Sequence, residues 1–178
     1  MINFPIPLLG FAASSGTGKT TLLTQLIPLL TNSGIRIAII KHSHHNIELD
    51  NPKKDSYKLR KAGAQQTIIA SPKRTSMIVE HPDQNDSTLE QALSYLKTES
   101  LDLVLVEGFK FAEIPKIELH RKTLNKPYFY PDDPNIIAIA TDHALTNDDL
   151  QKSHNDQFTQ LNINKPNGIV TFIENYLR

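Results

Sequence analysis

The segment FAASSGTGKTTLL (residues 11–23) joins two different hydrophobic patterns, and it decides the fold. Residues 6–12 form a continuous apolar run, which is typical of a strand buried on both faces of a sheet. From Lys19 onward, leucines and isoleucines recur at helical spacing, and the glycines of the segment stand between the two patterns. A strand, a glycine-rich turn and a helix in this order predict a phosphate-binding loop.

The loop departs from the common pattern at its first position, where Ala13 stands in place of a glycine. Gly16 and Gly18 remain, and these are the positions at which the backbone has to approach phosphate closely. An alanine costs about 1 kcal/mol or more only where the native φ is positive, and the end of a strand need not demand that. We therefore expect a working site, with Lys19 extended along the β- and γ-phosphates and the Thr20 hydroxyl on Mg²⁺.

Strand and helix patterns alternate along the chain and predict one α/β domain over residues 1–178, with a mainly parallel sheet and helices on both faces. Strands are expected at 35–40, 66–70, 75–80, 101–109 and 135–142, and further helices at 55–62, after Ser87 and after Pro166. The spacing of Ser87 and Glu90 predicts a capping box.

The alternating segment KIELH (116–120) is expected to pair with 109–112 as a hairpin, which would add antiparallel strands to the sheet. Residues 122–135 contain three prolines and no apolar period, so we expect a surface loop there. The polar segment 143–160 predicts no particular element.

Ligands of an open parallel sheet bind beyond the carboxyl ends of its strands. The segment KHSHH (41–45) follows the second predicted strand. Zinc sites usually draw ligands from separated segments, and no other partner is evident in the sequence. The segment is either an ordinary polar loop or, as we prefer, one in which Lys41 and one or two of the histidines line an anionic pocket near the nucleotide. Those histidines are His42, His44 and His45.

Three carboxylates are candidates for metal or base recognition. Glu107 ends an apolar strand, where a carboxylate commonly holds the hydration shell of Mg²⁺. Asp55 could reach the same metal, although a role as helix N-cap explains it at least as well. Asp142 closes the last predicted strand and could accept hydrogen bonds from N1–H and the 2-amino group of guanine. Adenine has no equivalent pair of donors.

Composition excludes several classes of function. Lys plus Arg and Asp plus Glu both number 19, so no overall field favours a nucleic acid or an anionic membrane. The absence of cysteine excludes disulfides, thiolate metal sites and a cysteine nucleophile. The apolar N-terminal segment is too short to span a bilayer and lacks a charged leader, so it predicts a strand rather than a signal peptide. We expect a soluble, cytoplasmic protein.

Six blocks together resemble the molybdopterin-guanine dinucleotide biosynthesis protein B (MobB) family. They are FAASSGTGKTTLL, IKHSHH, KDSYKLRKAGA, QTIIAS, LDLVLVEGFK and IPKIEL, with IIAIATD as a further block. That family also tolerates alanine at the first loop position. The resemblance implies a P-loop NTPase-like fold, to which the hairpin predicted above adds an antiparallel extension, and it implies GTP binding with Mg²⁺ and weak intrinsic hydrolysis. It also implies a homodimer whose β-structure continues between subunits.

The resemblance further implies an accessory role beside the molybdenum cofactor guanylyltransferase, with molybdenum-insertion proteins and molybdopterin as further possible contacts. Neither nucleic acid nor membrane is implied. By position it assigns Mg²⁺ to Thr20 and Glu107 and guanine recognition to Asp142. The phosphate-binding residues would be Ser15, Gly16, Thr17, Gly18, Lys19, Thr20 and Thr21.

Two other functions remain open at this point. In a small-molecule kinase, the KHSHH loop and Arg60 would bind an acceptor, and only Arg74 and Arg121 are candidates for a lid that closes on the phosphates. A non-catalytic module would recognise a pterin phosphate or another nucleotide-like anion. Since no glutamine or arginine is placed by sequence to act on the γ-phosphate, unaided GTP hydrolysis is expected at roughly 10⁻⁴–10⁻³ s⁻¹.

Overall fold

The computed structural model describes residues 2–43, 47–81, 86–154 and 158–178. The chain forms two compact units, one of Met1–His42 with Thr88–Arg178 and one of Ser43–Ser87. The strands in the described ranges are β1 (Leu8–Ala13), β2 (Ile37–Lys41), β3 (Gln66–Ser71), β4 (Arg74–Val79), β5 (Leu103–Glu107), β6 (Lys116–His120), β7 (Ile136–Thr141) and β8 (Thr159–Asn162). The α-helices there are α1 (Lys19–Asn32), α2 (Asp55–Lys61), α3 (Leu89–Ser94), α4 (Asn147–Leu150) and α5 (Pro166–Tyr176). The assignment of a single domain stays a prediction.

The first unit is built on a six-stranded sheet with the strand order β2-β5-β1-β6-β7-β8. Every pairing in this sheet is parallel, which confirms the predicted architecture. The apolar strand β1 lies between β5 and β6, where both of its faces are covered. Its carboxyl end therefore places the phosphate loop at the middle of one edge of the sheet.

Helices cover both faces of the sheet, because alternate strand residues point to opposite sides. Helices α1 and α5 pack on the face that carries Leu9 and Phe11. Helix α3 packs on the other face through Leu89 and Leu93, which join Leu8 in a second apolar cluster. Each fully buried side chain of this size contributes roughly 1.5–3 kcal/mol to stability, so the two clusters fix the sheet between its helices.

Strand β6 shows that the predicted hairpin of 109–112 with 116–120 is wrong. β6 pairs in parallel with β1 and β7, and residues 109–112 form no strand. The alternating pattern does not mark a half-exposed strand, since Lys116, Glu118 and His120 share one face and are all buried. The antiparallel hairpin of this fold is β3–β4, which lies in the second unit.

The buried polar face of β6 holds the connection that leads to β7. Lys116 Nζ lies 2.6 Å from Asp133 Oδ2 in a buried ion pair. The Glu118 carboxylate accepts hydrogen bonds from the N–H groups of Phe129 and Tyr130 at 2.9–3.0 Å. Lys116 thus binds a side chain of the connection and Glu118 binds its backbone, at positions where apolar residues would ordinarily pack against a helix.

The sequence predicted that the proline-rich segment 122–135 is a surface loop. The structure shows that part of this segment is buried. Tyr130 is only 1% exposed and packs with Ile136, Ile139 and Leu145 in a third apolar cluster. The segment lacks an apolar period because consecutive aromatic side chains, with Tyr130 the most buried, anchor it in place of a helical stripe.

Two helix starts differ from the predictions by one residue. Lys54 is the N-cap of α2, so Asp55 is the first helical residue, where its charge still complements the helix dipole. Thr88 caps α3 and forms a capping box with Gln91, so the predicted box at Ser87 and Glu90 is wrong. The same spacing of hydroxyl and amide or carboxylate occurs at both registers, and the sequence pattern alone does not choose between them.

Helix α5 begins with Pro166 at its N-terminal end, as predicted. Within the described ranges, no helix combines the length and the apolar character that a bilayer crossing requires.

Glu118 gives a prediction about the pH dependence of stability. Burial raises the pKa of Glu118 to about 7, against the two backbone N–H groups that favour the ionised form, and Asp133 adds to the rise. Since this pKa exceeds that of the unfolded chain, the folded protein binds more protons between about pH 4.5 and 7. The stability due to protonated Glu118 is thus full below that range and is lost as the pH rises through it.

We expect wild type to lose on the order of 2 kcal/mol of unfolding free energy relative to Glu118→Gln between pH 5 and pH 8. Denaturant unfolding of both proteins across this range measures the difference, and titration of other groups cancels in the comparison. A difference that is constant with pH would contradict the raised pKa.

Candidate functional site

The phosphate loop joins the end of β1 to the start of α1. Gly16 and Gly18 adopt left-handed conformations with φ of 82° and 91°. Ala13 is the last residue of β1, and among the described residues Asn125 is the only non-glycine with a positive φ. Ala13 is therefore unstrained, and the first position of this loop does not need glycine.

The loop presents backbone N–H groups that have no protein acceptor within the described ranges. These are the N–H groups of Ser15, Gly16, Gly18, Lys19, Thr20 and Thr21. Thr17 is oriented differently, because its N–H and its hydroxyl both donate to the carbonyl of Ser14, at 3.3 and 2.6 Å. Free N–H groups at a helix N-terminus carry partial positive charge, so this arrangement suits a phosphate group.

Three charged side chains meet beside the loop. Lys19 Nζ and Lys41 Nζ lie 3.6 and 3.7 Å from Glu107 Oε1. Strand β5 lies between β1 and β2, so the three strand ends converge as the sequence predicted. The Glu107 side chain is only 12% exposed, whereas that of Lys41 is 58% exposed. Two ammonium groups against one carboxylate leave a net positive charge next to the free N–H donors.

Thr20 and Glu107 supply the kind of donor that Mg²⁺ prefers. Mg²⁺ keeps several waters and takes one or two protein oxygens together with phosphate oxygens. In the part of the chain that the structure describes, no cluster of three or more His, Cys, Asp or Glu could hold a metal ion. A hydroxyl at the start of α1 and a carboxylate beside Lys19 fit a metal that arrives with the phosphates.

Asp55 is the first residue of α2 and belongs to the second unit. Its side chain is 91% exposed, and its Oδ1 lies 3.3 Å from Lys58 Nζ. The metal role assigned to Asp55 stays a prediction.

His42 is the one histidine of the KHSHH segment within the described residues, since His44 and His45 lie outside them. The His42 ring stacks on Phe109 with 4.4 Å between ring centroids. The backbone N–H of His42 donates to the backbone carbonyl of Glu107 at 2.8 Å. His42 thus ties the end of β2 to the residues after β5. The anion- or pterin-binding role of this segment stays a prediction.

Asp142 lies farther along the same edge of the sheet, directly after β7. Its Oδ1 accepts a hydrogen bond from the N–H of Lys122 at 3.1 Å and lies 3.1 Å from His143 Nδ1. The Lys122 N–H, followed by His143, holds the pKa of Asp142 below its usual value. The group is therefore ionised at neutral pH, as an acceptor for guanine has to be.

A cavity of about 340 Å³ opens beside Asp142. It is lined by Thr141, Asp142, His143, Ala144, Gln160, Leu161 and Asn162. His143 is fixed in its wall, because Nδ1 lies 2.7 Å from Thr141 Oγ1 and Nε2 lies 2.9 Å from the Tyr128 hydroxyl. The sequence did not predict the contribution of β8, since its residues TQLN show no apolar period.

Arg121 is the main residue of this edge that the sequence interpretation missed. It follows β6 directly, and its Nε donates to the carbonyl of Thr17 in the phosphate loop at 3.0 Å. From the sequence, Arg121 was a candidate only for the lid of a kinase. Its place after a predicted strand was the available signal, but the antiparallel pairing predicted for that strand would have put its end away from the ligand-binding edge.

A glycine-rich loop between a central parallel strand and a helix, with helices on both faces of the sheet, places the chain in the P-loop NTPase-like class. The sequence model described as Molybdopterin guanine dinucleotide synthesis protein B, MobB, matches residues 8–142. The chain therefore belongs to the MobB family.

Individual relatives extend the match over nearly the whole chain. The molybdopterin-guanine dinucleotide biosynthesis adapter protein of Escherichia coli (strain K12) is 46% identical over 174 residues, which cover 97% of this chain and 94% of the relative. The protein of the same name from Haemophilus influenzae is 42% identical over 177 residues, which cover 99% and 92%. A crystal structure of Bacillus subtilis MobB has a TM-score of 0.68 at 21% identity, with 97% of this chain and 99% of that one covered, and shows the shared fold.

Two substitutions test which glycines the loop needs. Ala13→Gly is expected to leave the affinity for pyrophosphate within about twofold and to lower stability by roughly 0.5–1 kcal/mol, because glycine weakens a strand. Gly18→Ala is expected to weaken pyrophosphate binding about tenfold. No atom lies within 4 Å of an added Cβ, so the positive φ alone, at roughly 1–2 kcal/mol, disfavours the binding conformation. Isothermal titration and denaturant unfolding give the two quantities.

Gly168→Ala in α5 is the matched control, because a Cβ there also has no neighbour within 4 Å and the site is helical. It should raise stability by up to about 1 kcal/mol and leave binding unchanged. A tenfold gain in affinity for Ala13→Gly would mean that the first loop position limits the site after all.

Proposed function

We propose that this chain is a GTP-binding adapter protein in molybdopterin guanine dinucleotide synthesis, with slow Mg²⁺-dependent hydrolysis at most. The observation that carries the proposal is one sheet edge with a phosphate cradle after β1 and an ionised carboxylate after β7. The phosphates would bind the free N–H groups and Lys19, and Thr20 and Glu107 would hold Mg²⁺. The base would lie beside Asp142, whose oxygens are hydrogen-bond acceptors for guanine but have no matching pair of donors on adenine.

Slow hydrolysis is part of the proposal because the arginine next to the loop is already engaged. Arg121 donates to the Thr17 carbonyl and to Asn164 Oδ1, at 3.0 and 3.2 Å. These contacts fix the plane of the guanidinium and direct its Nε and Nη1 donors to protein acceptors instead of the γ-phosphate. A rate of roughly 10⁻⁴–10⁻³ s⁻¹ is what phosphate-loop GTPases reach without such an arginine. The same contacts speak against Arg121 as the lid of a kinase.

The partners we propose follow from the family. Relatives that are more than 40% identical carry the name adapter protein, so we propose that this chain acts beside the molybdenum cofactor guanylyltransferase. Molybdenum-insertion proteins and molybdopterin itself are further proposed contacts. The proposed setting is the cytoplasm, where a chain without cysteine needs no oxidising conditions.

A homodimer formed through the β3–β4 hairpin completes the proposal. An isolated two-stranded ribbon is marginally stable in water, and its open edges can pair with another strand. Ile68 and Met77 lie opposite each other on one face of this ribbon and are 64% and 43% exposed. In the proposed dimer, a second copy packs on this face and covers the pair, and pairing at an open ribbon edge continues the β-structure between subunits.

Nucleotide binding tests the guanine assignment. Isothermal titration of wild type with GTP, ATP and xanthosine triphosphate in Mg²⁺ should show a preference for GTP. Asp142→Asn should reverse the preference toward xanthosine triphosphate by about tenfold or more, since the new amide can donate to the 2-oxo group of xanthine. Loss of one good hydrogen bond to a charged partner, at roughly 1.5–3 kcal/mol, sets this scale.

Asp148→Asn is the matched control, because Asp148 is an exposed acid in the first turn of α4. It should leave all three affinities unchanged. Equal affinity of wild type for GTP and ATP would remove Asp142 as a guanine reader, and rapid phosphoryl transfer to a small metabolite would favour a kinase.

The oligomeric state tests the ribbon. We expect wild type to sediment as a dimer at micromolar concentration and Ile68→Lys with Met77→Lys to sediment as a monomer, since two buried charges would disfavour the contact. Leu49→Lys, at an 81% exposed leucine of the same unit, is the control and should stay dimeric. A monomeric wild type would contradict the proposed dimer.

A further inference from the structure

Arg121 touches three separate strand ends of the sheet through one planar side chain. Its Nε donates to the carbonyl of Thr17 in the phosphate loop at 3.0 Å. Its Nη1 donates to Asn164 Oδ1 at 3.2 Å and lies 3.7 Å from Asp142 Oδ2. Because β6 lies between β1 and β7, the residue after β6 is the one placed to reach both neighbours. A guanidinium has several donors in a fixed plane, so the contacts at its two ends are geometrically linked.

The contact with Thr17 determines the orientation of a phosphate-binding group. In a planar trans peptide, the C=O of one residue and the N–H of the next point in opposite directions. Arg121 holds the Thr17 carbonyl on its own side, so the N–H of Gly18 is turned the other way, among the free donors of the loop. Rotation of this one peptide would move both groups together.

The contacts at the other end of Arg121 lie where a base would bind. Lys122, its neighbour in sequence, donates its N–H to Asp142 Oδ1 at 3.1 Å. Asn164 receives the Nη1 hydrogen bond, and its own N–H donates to Asn162 Oδ1 at 2.8 Å. Arg121 therefore binds both the phosphate loop and Asn164, which follows β8, and Lys122 binds the residue after β7.

We propose that Arg121 is a positioning residue that couples the phosphate loop to the base-binding edge, so that occupation of one alters the other. The inference rests on the proposed GTP site. It adds a dependence of base binding on phosphate binding, which neither the phosphate loop nor Asp142 supplies alone. When an anion draws in the Gly18 N–H, the Thr17 carbonyl and Arg121 move with it, and the change reaches Asp142 and Asn164. The coupling is reciprocal, so a base bound at the far end strengthens the hold of the loop on phosphate.

Magnesium pyrophosphate is the probe for this coupling, because it occupies the loop without touching the base edge. Ile163 precedes Asn164, and its N–H donates to the carbonyl of Thr141 at 3.1 Å. We expect the probe to shift the backbone amide NMR signals of Asp142 and Ile163 in ¹⁵N-labelled wild type, together with those of the loop. In Arg121→Lys the loop signals should still shift, and those of Asp142 and Ile163 should not. Lysine keeps the charge, but a single ammonium group cannot serve Thr17 and Asn164 together.

Nucleotide affinities give a second measure that a merely structural role would not move. In Arg121→Lys we expect the preference for GTP over ATP to fall by at least about fivefold, the lower end of common allosteric couplings. The pyrophosphate affinity should change by less than about threefold. Arg178→Lys, at the exposed chain end, is the control and should behave as wild type in both experiments.

The outcomes separate the coupling from the proposed function. Unchanged Asp142 and Ile163 signals in wild type with pyrophosphate bound, or equal shifts in Arg121→Lys, would overturn the coupling and leave GTP binding intact. Equal loss of affinity for pyrophosphate, GTP and ATP in Arg121→Lys would also overturn it, because Arg121 would then only support the loop. A wild type that transmits the pyrophosphate signal but binds GTP and ATP equally supports the coupling and removes the guanine assignment. Failure of wild type to bind pyrophosphate would contradict both.

Discussion

The buried polar face of β6 is the constraint on which the site depends. Parallel strands are usually joined by a helix that packs on the sheet, but the connection from β6 to β7 contains only the short 3₁₀ turn Lys122–Leu124. Lys116, Glu118 and His120 take the place of apolar contacts by bonding to this connection, His120 through a ring nitrogen 2.9 Å from a backbone carbonyl. A buried polar group that loses its partner costs roughly 1–3 kcal/mol. The connection is thus held in one place, and with it the N–H that binds Asp142.

Charge is distributed along the ligand-binding edge in a way that matches a nucleotide. Next to the phosphate loop, Lys19 and Lys41 face the single carboxylate of Glu107 and leave net positive charge. At β7, Arg121 and Asp142 come within 3.7 Å of each other, so the two charges largely cancel. The whole chain carries equal numbers of acidic and basic residues, so the attraction for phosphate is local rather than a property of the surface. A ligand with its charge at one end and a neutral ring at the other fits this distribution.

The sequence predicted the positions of strands correctly wherever the hydrophobic pattern of a segment matches its burial in the structure. Apolar runs located β1, β5 and β7, and the glycine-rich turn located the phosphate loop, because these features are local. The antiparallel pairing predicted for 116–120 failed because alternation normally marks a strand with one face in water, whereas both faces of β6 are buried. Strand β8 was missed since its pairing with β7, rather than its own residues, makes it a strand. The links made by Arg121 connect positions far apart in sequence, and no local pattern carries them.

Ala13 shows why a loop of this kind tolerates a departure from the common pattern. The N–H groups that suit a phosphate belong to residues 15–21 except Thr17, and the left-handed turns that orient them lie at Gly16 and Gly18. Ala13 still belongs to β1, where it pairs with Leu119 of β6 in the parallel register. A side chain at this position adds contact with a neighbouring strand without narrowing the cradle. The essential geometry of the loop therefore begins after the strand has ended, and it is completed from outside by the hydrogen bond from Arg121 to Thr17.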